Sequence, residues 1–119
     1  TDHAPHSSVE KLCTFQEAAF GISVLETALG SLMSLVHSGD IPLPLLIEKL
    51  TAAPARFLGV ELGTLKAGAP ADVTIFDPDA EWVFRREDTA SKAVNNPFYD
   101  WTLKGRNVMT IVAGEIAWQ

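Results

Sequence analysis

The feature that most limits what this chain can fold into is a change of hydrophobic period close to residue 60. Before it, Leu25, Leu29, Leu32, Met33 and Val36 fall at i, i+4, i+7, i+8 and i+11, which is one face of one helix. After it, Asp72-Val73-Thr74-Ile75-Phe76-Asp77 alternates and is rich in β-branched residues, the pattern of a half-buried strand. Helical periodicity followed by strand periodicity predicts an α/β chain in two unequal parts. Helices are expected over 22–38, 42–50 and 52–58, and strands within 60–119.

Local signals place the ends. Ser23 with Glu26 three residues on reads as a capping box, and His37 and Gly39 as the last turn and C′ residue of the same helix. Asp40 or Ile41 is expected to cap the next helix, with Pro42 in its first turn. Thr51 is expected to cap the third helix and Gly59 to end it. Gly63, Gly68 and Pro70 punctuate a loop. The strand at 72–77 should close at Pro78-Asp79, with Trp82 to Phe84 a second short strand and Arg85-Arg86-Glu87-Asp88 a solvated turn. Lys92 to Asp100 reads as a polar loop with aromatic anchors. Leu103-Lys104-Gly105 turns into a strand from Asn107 to Val112, and Ala113-Gly114 is a two-residue hairpin turn returning Glu115 to Trp118. Trp82, Trp101 and Trp118 are expected as core or sheet-packing aromatics. Asp72, beside a Gly/Pro turn, is expected to cap backbone and not to act as a catalytic acid.

The chemistry-bearing stretch is Thr1-Asp2-His3-Ala4-Pro5-His6. Pro5 fixes its own φ and pushes Ala4 toward extended conformations, so Asp2, His3 and His6 are expected on a stiff loop. A carboxylate and two imidazoles there suit metal binding or acid–base chemistry, and equally a polar segment with scattered histidines. A chain beginning at Thr1 would add a free amine and two deprotonable amides to the His3 ring, a planar set of four nitrogens that selects Cu(II) or Ni(II), independently of the fold. A net charge of −6 argues against a nucleic-acid partner. The apolar stretches are broken well short of the roughly 20 residues needed to span a bilayer. The lone Cys13 cannot pair within the chain, which fits a reducing cytoplasm.

The letters are more specific than the spacing. Asp2-His3-Ala4-Pro5-His6, Glu10-Lys11, Phe20-Gly21-Ile22 and Leu25-Glu26-Thr27-Ala28 closely resemble the end of the dihydroorotases, zinc-dependent cyclic amide hydrolases of the amidohydrolase superfamily. Thr51-Ala52-Ala53-Pro54-Ala55 resembles a family run in which an asparagine stands where this chain has Ala53. Gly63 to Asp72 resembles the signature of the superfamily's small β-domain. Asn95-Asn96-Pro97-Phe98 resembles a family loop with threonine in place of Asn96.

The resemblance implies the C-terminal part of such an enzyme, since a (β/α)8 barrel needs about 250 residues. Residues 1–59 would be the C-terminal end of the barrel, with the catalytic loop and helices, and 60–119 part of a small β-sandwich domain. It implies Asp2 as the catalytic acid–base residue and a zinc contact, and His6, Phe20 and Gly21 as substrate contacts. Glycine suits that last role because it lets a ligand approach the main chain, though Gly21 alone also reads as a plain loop glycine. His3 has no implied catalytic role beyond orienting the loop. The implied reaction is reversible hydrolysis of dihydroorotate to N-carbamoyl-aspartate in pyrimidine synthesis, in the cytoplasm. The family's other zinc ligands have no counterpart in these residues, so the chain by itself is expected to be inactive. The apolar stripe of the 22–38 helix would be left bare, which favours a homo-oligomer. The alternatives are an allantoinase or hydantoinase, against which Ala4-Pro5-His6 argues, or a metal-free subunit supporting a carbamoyltransferase.

Overall fold

The computed structural model describes residues 1–119. The chain is irregular from 1 to 24 except for a one-turn helix α1 (Ser8–Lys11), then helical through α2 (Ala28–His37), α3 (Leu43–Leu50) and α4 (Ala52–Leu58). Three antiparallel strands follow, β1 (Val73–Val83), β2 (Thr102–Val112) and β3 (Glu115–Trp118), in the spatial order β1-β2-β3. The radius of gyration is 16.2 Å, against about 13.5 Å for a compact domain of this length. Only 11 of 119 residues are buried, so the core is small for the chain.

Helix entry differs from expectation. Ser23 does not cap α2. It is 1% exposed, and its backbone N–H donates to the Asn95 carbonyl. The helix begins instead with a 3-10 turn at Leu25–Thr27, and Glu26 accepts the Ser91 N–H across the chain. The capping box sits earlier, at the N-terminus of α1, where the Ser7 hydroxyl accepts the Glu10 N–H and the Glu10 carboxylate accepts the Ser7 N–H. Thr51 fails as a side-chain cap because α3 and α4 adjoin through it alone. Its hydroxyl bonds back to the Ile47 carbonyl and satisfies the end of α3. Pro42, extended, stands at the start of α3, and neither Asp40 nor Ile41 caps it. Gly39 and Gly59 do take the left-handed conformation at the ends of α2 and α4.

The buried face of α2 is not the leucine stripe. Gly30 and Met33 face the sheet and Thr27, in the turn just before α2, is buried against Asn96, while Leu25 is 60% exposed and Leu29, Leu32 and Val36 are half-buried. Small residues decide this, because they let helix and sheet backbones approach. Gly30 lies against Leu103 and the Trp82 ring, and Met33 fills the space over Gly105. Phe84, also 1% exposed, stacks on Tyr99 at 5.2 Å and completes this core.

Strand β1 does not close at Pro78. It runs on to Val83 across an irregularity in which Asp77 pairs with Arg106 and Glu81 with Lys104, leaving Pro78, Asp79 and Ala80 opposite Gly105. Proline is tolerated there because an irregular, unpaired position demands no N–H for the ladder. Asp77 Oδ1 accepts from the N–H groups of Asp79 and Ala80, and His37 Nε2 donates to the Pro78 carbonyl at 3.0 Å. Likewise Leu103-Lys104-Gly105 is strand and not turn, with Gly105 at φ +98° where β2 passes Met33. The Ala113-Gly114 turn forms as expected, both residues at positive φ. Asp72 caps it from across the sheet by accepting the Ala113 N–H at 2.8 Å. Trp82 packs and donates to the Gly105 carbonyl, whereas Trp101 and Trp118 are half-exposed and outside the core. No helix is long and apolar enough to cross a membrane.

Candidate active site

The Thr1–His6 segment is held by backbone pairing. His3 forms a parallel bridge with Ile22, and the Ala4 N–H donates to the Ile22 carbonyl at 2.8 Å. The His3 ring fixes the same junction, with Nδ1 accepting the N–H groups of Val24 (3.0 Å) and Leu25 (3.3 Å). His3 therefore orients the loop. A copper site using that nitrogen would compete with folding and would not be independent of it. Asp2 stands at φ +52° with an exposed side chain. That left-handed conformation is one that Asp and Asn tolerate better than other side chains.

His6 and the Phe20-Gly21 pair meet. His6 Nε2 donates to the Phe20 carbonyl at 2.8 Å. On its other side the ring is 3.9 Å from Glu10, whose carboxyl is held below its ordinary value by the hydrogen bond from the Ser7 hydroxyl and then by the Ser7 N–H. Lys11 Nζ donates to the carbonyls of Ala19 (2.7 Å) and Gly21 (2.9 Å). The carbonyls of Phe20 and Gly21 are thus engaged within the chain, while their N–H groups donate to nothing in it and remain available to a ligand oxygen. Gly21 takes φ +100°, and a Cβ there would lie 2.4 Å from the Ala4 Cβ. Glycine is required by both conformation and space.

One organising residue carries a family-like pattern in the sequence, Asn95-Asn96-Pro97-Phe98, but no signal of the role it takes here. Asn95 Oδ1 accepts the His6 N–H at 3.1 Å, while Nδ2 donates to the carbonyls of Ala4 (2.9 Å) and Gly21 (3.4 Å). Its partners lie 74 to 91 positions away, beyond any spacing rule. A cleft of about 460 Å³ is lined by His6, Ser7, Lys11, Ile22, Arg86 and Asn95. A larger one, about 710 Å³, lies between the start of α2 and the sheet and touches none of Asp2, His6, Phe20 or Gly21.

A catalytic zinc takes three protein ligands. No three His, Cys, Asp or Glu side chains come together here as a metal site. His3 commits Nδ1 to backbone, His6 commits Nε2 to Phe20, and the two histidines and Asp2 belong to no group of three such side chains. These residues do not make a zinc site by themselves, and Asp2 can supply at most one ligand of a larger set.

A family model for the amidohydrolase family matches residues 1–117. The chain is 44% identical to the dihydroorotase of Geobacter metallireducens and 48% identical to that of Aquifex aeolicus, across 100% of this chain and 28% of each relative. It therefore spans little more than a quarter of the length of these curated relatives. Among solved structures it is similar to the L-hydantoinase (dihydropyrimidinase) from Arthrobacter aurescens, with a TM-score of 0.79 and 29% identity over 87% of this chain and 24% of that one. A D-hydantoinase structure shares the fold at a TM-score of 0.75 and 23% identity, over 86% of this chain and 23% of that one.

Proposed function

The chain belongs to the amidohydrolase family, and on that premise we propose that it is the C-terminal part of a dihydroorotase, hydrolysing the cyclic amide of dihydroorotate reversibly to N-carbamoyl-aspartate. The observation that carries this reading is the 44 to 48% identity to dihydroorotases along the whole chain. In this reading residues 1–59 are the end of a (β/α)8 barrel and 60–119 a segment of a small β-sandwich domain. Barrel strands would then cover the outer leucines of α2, a face distinct from the Gly30-Met33 face that meets the sheet. Zinc dependence, pyrimidine synthesis and a cytoplasmic setting belong to the same proposal.

The residues present have definite tasks in that chemistry. Opening a cyclic amide moves a proton from the attacking water to the leaving nitrogen, and a carboxylate can carry it. Asp2 is the exposed carboxylate on the paired loop, and it takes this role. His6 and the N–H groups of Phe20 and Gly21 contact the substrate. Donors aimed from backbone suit carbonyl or carboxylate oxygens, which this substrate class carries.

The test is turnover by the full-length protein against dihydroorotate, hydantoin and allantoin. Preference for dihydroorotate is expected. Preference for hydantoin would move the assignment to the hydantoinases, and no turnover of any would favour a supporting subunit. Two variants test the substrate contacts. Gly21→Ala forces a strained φ worth roughly 1–3 kcal/mol and a clash with Ala4, so KM should rise about tenfold or more. His6→Ala should also raise KM chiefly, since its contact is with substrate. An unchanged KM in both would remove Phe20-Gly21 and His6 from the substrate site.

A further inference from the structure

We infer that Asn95 is a positioning residue that locks the Asp2–His6 loop to the Phe20–Gly21 loop, so that the groups on both act on one substrate. The inference rests on the proposed substrate contacts for its kinetic meaning, and on geometry alone for the lock. One carboxamide reaches both loops. It accepts from the His6 N–H and donates to Ala4 on the first loop, and donates to Gly21 on the second. The orientation of the amide is determined by its partners. Turned over, it would set NH2 against the His6 N–H and oxygen against two carbonyl oxygens, so every contact would become repulsive.

The residue is itself held from behind. Its backbone carbonyl accepts the Ser23 N–H at 3.2 Å. The next residue, Asn96, is buried and donates to Thr27 Oγ1 at 3.1 Å, while its Oδ1 accepts the Phe98 N–H at 2.8 Å. The loop between β1 and β2 is thereby fixed to the start of the helical region, and the Asn95 side chain points from a rigid base. Lys11 ties Ala19 and Gly21 from the other side, but it touches only the second loop. The loops also meet directly, through His6 Nε2 on the Phe20 carbonyl and the Ala4 N–H on the Ile22 carbonyl, and Asn95 adds a clamp on both from residues 60–119, which gives that part of the chain a direct role in shaping the site.

Two variants of the full-length protein test this. Asn95→Leu keeps similar size and removes all three hydrogen bonds. Asn95→Asp keeps an acceptor for the His6 N–H but turns an anionic oxygen onto the carbonyls of Ala4 and Gly21, and it serves if the leucine variant does not fold. The first readout is backbone amide exchange without substrate. Exchange at His6 should accelerate about tenfold or more as its acceptor is lost or the loops part. The second readout is kinetic, with whichever cyclic amide the wild type turns over. KM should rise about tenfold while kcat changes much less, because the loops still reach the productive geometry but occupy it less often. A lower Tm with unchanged exchange at His6 and unchanged KM would mean bulk packing only and would overturn the inference. If the wild type hydrolyses no cyclic amide, the functional reading fails, and exchange at His6 still decides the lock.

Discussion

Asp2→Asn in the full-length protein is expected to lower turnover by roughly 10²- to 10⁴-fold, the usual worth of a positioned acid–base group. The structure makes this substitution a clean one. Asp2 sits at φ +52°, and asparagine tolerates the left-handed region as well as aspartate does. Its side chain is exposed, so no core contact changes. The loop stays paired through the Ala4 N–H and the His3 ring, neither of which involves the Asp2 carboxylate. Thermal unfolding should therefore match wild type within a degree or two while activity collapses. Retention of more than a tenth of wild-type turnover would show that another group carries the proton.

Gly105→Ala is expected to be the most damaging single change to stability in the β-region. Gly105 is buried in β2 at φ +98°, and a Cβ there would lie 2.7 Å from the Met33 Cγ and 3.1 Å from its Cβ. Strain at an unfavourable φ costs about 1–3 kcal/mol, and overpacking a filled core costs about 1–3 kcal/mol more. The Met33 side chain is 1% exposed and cannot swing clear without opening the contact between α2 and β2. A loss of about 2–5 kcal/mol in denaturant unfolding follows if the two costs add incompletely. The double variant Gly105→Ala/Met33→Ala should recover part of that loss, because the methionine supplies the clash. A single variant as stable as wild type would show that the helix and sheet do not meet through this pair.

Some of this was open to reading in the letters alone. The centres of α2, α3 and α4 follow from apolar periodicity, and the ends of α2 and α4 from Gly39 and Gly59, because glycine adopts left-handed φ without penalty. The hairpin turn at Ala113-Gly114 and the strand through 73–77 are local in the same sense. The candidate site was partly legible too, since Asp2, His6, Phe20 and Gly21 carry a family pattern. Ser7 to Glu10 has the same Ser-x-x-Glu spacing as Ser23 to Glu26, and only the first forms a capping box.

What the sequence determined by itself is what rests on neighbours within about four residues: helix cores, glycine stops, turn types and the chemistry carried on the first loop. Tertiary structure decided the rest. It chose Gly30 and Met33 as the buried face of α2 over the leucines, because Gly30 and Gly105 permit a close approach that the pattern along one helix cannot reveal. It carried β1 through Pro78, because the partner strand and His37 hold the irregularity in place. It also set Asn95 between Ala4, His6 and Gly21. Hydrogen bonds between residues so far apart depend on where packing brings the backbone, and no local propensity encodes that.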